Sequence, residues 1–391
     1  MHLLKWLLVF FPFALSAQSY KKVHKKAVLV DTHNDVLSTV TMKGMDMGAD
    51  LTGKAHSDIA RFKKGGVDVQ MFSVFCDERY GNGTAFAFAN REIDSLQAII
   101  NRNPNKLMAV NSPAELERAV KEKKLACMIG VEGGHMIEDR LDYLDSLYNR
   151  GTRYLTLTWN NSTSWASSAK DETENTVPNG GKKGLSEHGK KIVQRMNELG
   201  MMVDLSHVGE QTFWDVMAVT TKPVLVSHSS VYALCPSRRN LKDEQIKAVG
   251  KNGGVIHVNF YSGFIDSSYM RRVMAFHARH QAEKDSLVAL KWPNYQVDEW
   301  LSDKYKSEAD AIRPPLSLLI DHISYIVQLS GIDHVGLGSD FDGIESAPQQ
   351  LDGVQDFPLI TKALLERGYS KKDVRKILGG NFLRLFRQNS K

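Results

Sequence analysis

The sequence is poor in cysteine. Only Cys76, Cys127 and Cys235 occur in 391 residues, so at most one intrachain bridge forms and one thiol is left over. A chain of this size does not depend on such a bridge. Cysteines this far apart also exclude a sulfur-ligated zinc site, and they read as small buried hydrophobes. A charge excess is missing as well. The formal net charge is +5, from scattered lysines with one short run at Lys21, Lys22, Lys25 and Lys26. No zinc knuckle and no basic helix interleaved with aromatics is present, so nucleic acid is not an expected partner. There is no repeat of fixed period and no low-complexity tract. No Gly-rich phosphate fingerprint follows the first apolar run, which argues against a doubly wound dinucleotide fold.

Long hydrophobic runs are absent except at the N-terminus. Trp6 to Leu15 is apolar, broken only by Pro12, and Leu15-Ser16-Ala17 offers small residues before Gln18. The run is too short to span a bilayer and has the layout of a secretory signal peptide. A signal peptide is therefore expected over 1–17 and a mature chain over 18–391. An uncleaved N-terminal anchor is the alternative. Gln18 stands where a lipoprotein has its lipid-bearing cysteine. The expected product is secreted or periplasmic, with no stable membrane span after processing. Its oligomeric state stays open, a homodimer included.

Hydrophobic residues make up 42% and charged residues 24%, which is ample material for a core. Eight short apolar, β-branched runs bounded by turn signals predict strands. They cover 27–31, 67–74, 125–132, 152–159, 201–206, 223–227, 254–259 and 334–338. Most are apolar almost throughout, as strands of a parallel sheet buried on both faces are. Helical patterns fall at 87–101, 113–123, 139–150, 186–199, 210–219, 243–251, 314–329, 359–366 and 371–386. Strands alternating with helices predict an α/β fold, a (β/α)8 TIM-type barrel in one domain. Two stretches, 161–183 and 261–313, read as long irregular loops on the barrel rim.

Metal-competent side chains sit where these strands end. His33 and Asp35 follow the first, Glu132 ends the third, His207 follows the fifth, His228 the sixth and Asp340 the eighth. In a barrel those ends share one mouth, where active sites of this fold lie. Three imidazoles and three carboxylates suit zinc. His33 and Asp35, two apart on an extended segment, point the same way. Glu132 has two oxygens with which to bridge two ions. Each residue alone has an ordinary explanation, Asp340 as a helix N-cap for example; the register across five strands points to metal. Asp204 reads as a partner that orients a ligand. His135 and His334 read as structural, and the remaining histidines lack the register.

Several stretches carry a resemblance. They include Asp31-Thr32-His33-Asn34-Asp35, Gly130-Val131-Glu132-Gly133-Gly134, Val203-Asp204-Leu205-Ser206-His207, Ser227-His228-Ser229-Ser230, Ser237-Arg238-Arg239-Asn240 and Gly338-Ser339-Asp340-Phe341-Asp342-Gly343. In this order they resemble the membrane dipeptidases, renal-type zinc enzymes on a (β/α)8 barrel that cleave dipeptides, often with a D-residue at the C-terminal position. The resemblance implies two Zn2+ per chain, one held by His33 and Asp35 and one by His207 and His228, with Glu132 bridging. It implies Asp340 as acid/base and Arg239 as the partner of the substrate carboxylate. One position departs. Where the family has a substrate-contacting histidine after the fourth strand, this chain has Trp159, followed by Asn160, whose amide is a candidate replacement donor. That departure keeps two other readings open: a barrel hydrolase of another amide or ester, and a binding protein with weakened catalysis.

Overall fold

All eight runs become parallel neighbours in the computed structural model, which describes residues 17–391 except Asn179 and Pro293. The strands are β1 (Val30–Asp31), β2 (Val69–Phe75), β3 (Leu107–Ala109), β4 (Leu125–Glu132), β5 (Thr152–Thr156), β6 (Met202–Asp204), β7 (Leu225–Val226), β8 (Val255–Val258) and β9 (Val335–Leu337). Their order is β1-β2-β4-β5-β6-β7-β8-β9, all parallel. The ends meet: Thr32 N donates to Leu337 O at 3.2 Å, and Asn34 bridges to Phe341 in parallel register. This is a (β/α)8 barrel. The strand β3, absent from the sequence-based reading, pads the start of β4 outside the ring. Three residues are too short to stand out as a pattern.

Alternation along the strands separates two cores. Val69, Met71, Ala126, Met128, Tyr154, Met202, Leu225 and Val255 form one cluster with Phe382, Leu385 and Phe386 of the helix Asn381–Asn389. Arg384 of that helix donates to Gly253 O and Asp333 O, at the starts of β8 and β9. The interior is thus filled and plugged from below. The alternate residues, such as Phe72, Val131, Leu155, Val203 and Ile256, pack outward among the helices.

Two expectations need correction. The stretch 261–313 is helical, with Ser262–Ile265, Tyr269–Arg279, Gln281–Ala289, Asn294–Lys304 and Lys306–Ile312. These helices bury a small cluster of their own around Phe276, Val297 and Leu301, so little apolar periodicity marks them in the sequence. The expected helix over 371–386 is split at Gly379, whose φ of 177° leaves the helical range. The 161–183 loop is mostly irregular, with the short helix Ala169–Glu174. No helix among the described residues is long and apolar enough to cross a membrane. The signal peptide expected over 1–17 lies outside the described residues, apart from Ala17, which opens the helix Ala17–Lys26.

One close approach links the barrel wall to its mouth. Gly130 pairs with Tyr154 across β4 and β5, and a Cβ on Gly130 would stand 1.9 Å from Tyr154 Cζ. The phenol ring therefore lies flat over a bare backbone. Gly130→Ala should destabilise the fold by about 1–3 kcal/mol through overpacking, read as a lower urea midpoint. An unchanged midpoint would show that the ring is not confined there.

Candidate active site

The barrel brings the strand-end residues onto one carboxylate. Glu132 Oε2 lies 3.3 Å from His33 Nε2, while Oε1 lies 2.8 Å from His207 Nε2 and 3.5 Å from His228 Nε2. His33 Nε2 is also 3.3 Å from Asp35 Oδ2 and 3.9 Å from Asp340 Oδ1. The Nε2 atoms of His207 and His228 are 3.1 Å apart. Residues from β1, β4, β6, β7 and β9 thus meet, and Glu132 turns one oxygen toward each half of the cluster. All but Asp340 are buried.

The rings are aimed from behind. Tyr154 donates its hydroxyl to Thr32 O at 3.3 Å, so it accepts the Nδ1–H of His33 at 2.9 Å. His228 Nδ1 donates to Ser227 Oγ at 2.8 Å, and Ser227 Oγ donates to Asp204 Oδ2 at 2.6 Å. Asp204 is itself held by Thr156 Oγ1 and by the Ser206 and Ser227 amides. Both imidazoles therefore present a bare Nε2 to Glu132. Fixing the outer nitrogen in this way is how ligating histidines are oriented. Asp204 acts through Ser227, in the orienting position read from the sequence.

These donors fit a divalent metal. His33 Nε2 and Asp35 Oδ1 are buried with no hydrogen-bond partner among the described residues, an arrangement that costs about 1–3 kcal/mol per group unless a ligand satisfies it. Donor atoms of His33, Glu132 and His228 lie close enough for one ion, as do those of His33, Asp35 and Asp340. Burial pulls His207 down to about 4 and His228 well below its ordinary value, so both are neutral and able to ligate at pH 7. His33 goes the other way. Burial lowers it, but the surrounding Tyr154, Glu132 and Asp35 raise it well above the usual imidazole range. That direction expresses the demand of buried carboxylates for positive charge beside Nε2, which a metal ion meets better than a proton.

Backbone strain concentrates here. His207, Asp340 and Asp342 have φ of 65°, 62° and 68°, a left-handed geometry that costs on the order of 1–3 kcal/mol for such residues. A Cβ on Gly343 would come within 2.3 Å of Asp35 Oδ2, so only glycine lets this loop close over the carboxylates. Asn259 Nδ2 donates to Asp340 Oδ2 at 2.8 Å. Burial pushes the Asp340 carboxyl well above its ordinary range; His33 opposes this and Asp35 and Glu132 reinforce it.

A mouth cavity of about 400 Å³ opens over the cluster, lined by Trp159, Asn160, Arg239, Tyr261, Phe264 and Asp340 among others. Arg239 is buried, and burial brings its guanidinium down to about 10. It donates to His228 O and Ser229 Oγ, each at 3.3 Å, and lies 5.5 Å from the Phe264 ring centroid. No carboxylate among the described residues forms an ion pair with it. Trp159 packs 5.0 Å from Phe75 and 6.4 Å from His207 between ring centroids. Asn160 accepts from Ser168 Oγ through its carbonyl.

Sequence reasoning passed over Tyr154, Ser227 and Asn259. The strand-end rule would have reached Asn259, just past β8, had amides been counted with metal ligands. His56, set aside for lack of register, stands at the rim. Its amide donates to Asp342 Oδ1 and its Nδ1 accepts from the Asp342 amide, which makes Asp342 a shaper of the mouth loop. His135 and His334 bond to Cys76 O and Gly254 O, and all three cysteines are free and buried.

The sequence profile of the membrane dipeptidases (peptidase family M19) matches residues 17–391. The uncharacterized dipeptidase C965.12 of Schizosaccharomyces pombe is 31% identical, over 96% of this chain and 83% of its own length. The probable dipeptidase PvdM of Pseudomonas aeruginosa is 25% identical, with a TM-score of 0.76 over 95% of this chain and 98% of that one. A metallopeptidase from Rhodobacter sphaeroides, liganded with a phosphinate mimic of L-Ala-D-Ala, shares the fold at 22% identity. Its TM-score is 0.73, over 93% of this chain and 99% of that one.

The orienting bond from Tyr154 gives a test. Tyr154→Phe leaves the His33 Nδ1–H without its acceptor and should weaken metal binding about 10–100-fold, measured by competition with a chelator of known affinity. Wild-type affinity in the variant would mean that His33 needs no such support.

Proposed function

The chain belongs to the membrane dipeptidase family, and from that premise we propose an exported dipeptidase that works with two zinc ions and accepts dipeptides with a C-terminal D-residue. The observation that carries the reading is the split of Glu132, one oxygen toward His33 and the other toward His207 and His228. In this reading His33 and Asp35 would hold one ion and His207 and His228 the other, with a Glu132 oxygen available to each. A mixed set of imidazole and carboxylate donors suits zinc. When bound, such ions acidify water and polarise a carbonyl.

The chain's own groups do the remaining work. Asp340 is held at Oδ2 by Asn259, which leaves Oδ1 to take a proton from the attacking water and pass it to the leaving amine nitrogen. A carboxyl held above its ordinary range by burial suits that exchange. Arg239, buried and without an ion-paired carboxylate among the described residues, receives the substrate's terminal carboxylate, a match for its planar donor pair. Trp159 forms the wall where the family's histidine would stand, and the Asn160 amide offers a hydrogen bond there in its place. The phosphinate mimic in the Rhodobacter sphaeroides relative supports tolerance of a D-residue. The apolar run before Gln18 supports export, with cleavage after Ala17.

Purified mature protein should hydrolyse dipeptides of an L,L and L,D panel and lose that activity to a chelator. Asp340→Asn should keep both ions, counted by elemental analysis, while kcat falls by at least about 100-fold. Full turnover in Asp340→Asn, or turnover indifferent to chelation, would rule out this mechanism.

A further inference from the structure

A second cavity, of about 380 Å³, adjoins the mouth and shares His207 and Arg239 with it. Its character is different. Lys183, Arg238, Arg239 and Lys242 line it against two carboxylates, Glu172 and Glu210. Glu172 is spoken for: it accepts from Ser167 Oγ at 2.5 Å and from the Gln211 amide at 3.0 Å, tying down the start of the helix Glu210–Val219. Glu210 pairs with Lys242 at 2.6 Å, and Arg238 pairs with Glu174 at 3.0 Å, both between half-exposed groups. Pairs of that kind are worth about 0–1 kcal/mol and give way to a better placed anion. The outer rim of the mouth cavity, away from Arg239 and the metal-facing cluster, offers no such welcome, for Asp342 and Glu345 line it near the aromatic rings of Tyr261 and Phe264.

We infer that the second cavity receives the side chain of the substrate's C-terminal residue and selects an acidic one, aspartate or glutamate. This rests on the dipeptidase reading, in which Arg239 holds the terminal carboxylate. The side chain branches from the carbon next to that carboxylate, so it starts beside the residue both cavities share. An anionic side chain turned toward that outer rim meets Asp342 and Glu345; turned the other way it meets Arg238 and Lys242.

The test compares Ala-Asp with Ala-Asn, which match in shape and differ by one charge, each with an L- or D-configured C-terminal residue. With the zinc-loaded mature chain, kcat/KM should favour the aspartate of the better configuration by about tenfold, a difference of about 1.4 kcal/mol. In the R238Q/K242Q double variant that ratio should fall below about threefold, in line with loss of two charge contacts. Raising salt should shrink the wild-type ratio by screening, a measurement that serves if the variant does not fold. A wild-type ratio near one, or a ratio indifferent to both the substitutions and salt, overturns the subsite. Failure to cleave any of these dipeptides, Ala-Ala included, overturns the dipeptidase reading and this inference with it.

Discussion

A buried carboxylate surrounded by imidazoles is the constraint from which the upper half of this barrel follows. Glu132 is 4% exposed and has Asp35 and Asp340 close by. Taking carboxylates out of water is costly unless positive charge or hydrogen bonds answer them. The protein supplies few of its own: Ser73 Oγ reaches Glu132 Oε2 at 3.3 Å, and Arg239 forms no ion pair with any of the three. Two of the three histidines add no charge, because burial keeps His207 and His228 neutral, and His33 alone faces all three carboxylates. Positive charge from a bound metal, as expected of a metallopeptidase family, would complete the balance.

That demand is met by a layered interior. At the bottom, Phe382, Leu385 and Phe386 plug the barrel with apolar bulk. One level up, Tyr154 belongs to both worlds: its ring packs in the apolar cluster over Gly130, and its hydroxyl sets the tautomer of His33. Asp204 and Ser227 do the same for His228. At the seam, Asp31 accepts from the amide and hydroxyl of Ser339, each at 2.7 Å. The first and last strands are thereby locked in the register that sets His33 and Asp35 beside Asp340. The metal-facing atoms are thus positioned by groups that are themselves fixed in the packed core, which is what precise chemistry requires of its supports.

The parts of this arrangement that follow from local rules were legible in the sequence. Apolar runs reveal strands, strand ends reveal the mouth, and residue type reveals His33, Asp35, Glu132, His207, His228 and Asp340 as its occupants. Tyr154 was not legible, because a tyrosine in an apolar strand is ordinary and only the neighbour strand's Gly130 shows where its hydroxyl goes. Asn259 escaped for a different reason, since its role depends on a partner 81 residues away. The helices of 261–313 were hidden because they shield a core of only a few side chains, leaving their sequence polar on most faces. In each case the missing information was a pairing between distant segments, which no single stretch records.

Trp159 belongs to the mouth rather than to the metal-facing cluster. It follows β5 and packs at a tilt against Phe75, the last residue of β2. The Phe75 amide in turn donates to the buried Glu92 carboxyl at 2.8 Å. Burial pushes Glu92 well above its ordinary range, and its Oε2 serves as a fixed acceptor for that amide. The indole therefore rests on a braced support. An indole offers one N–H and no positive charge, so at this position the rim has apolar wall and a single donor. None of the orienting bonds behind His33 or His228 involves it. The departure from the family therefore bears on what the mouth admits and how it is gripped, and leaves the metal-holding arrangement as it was.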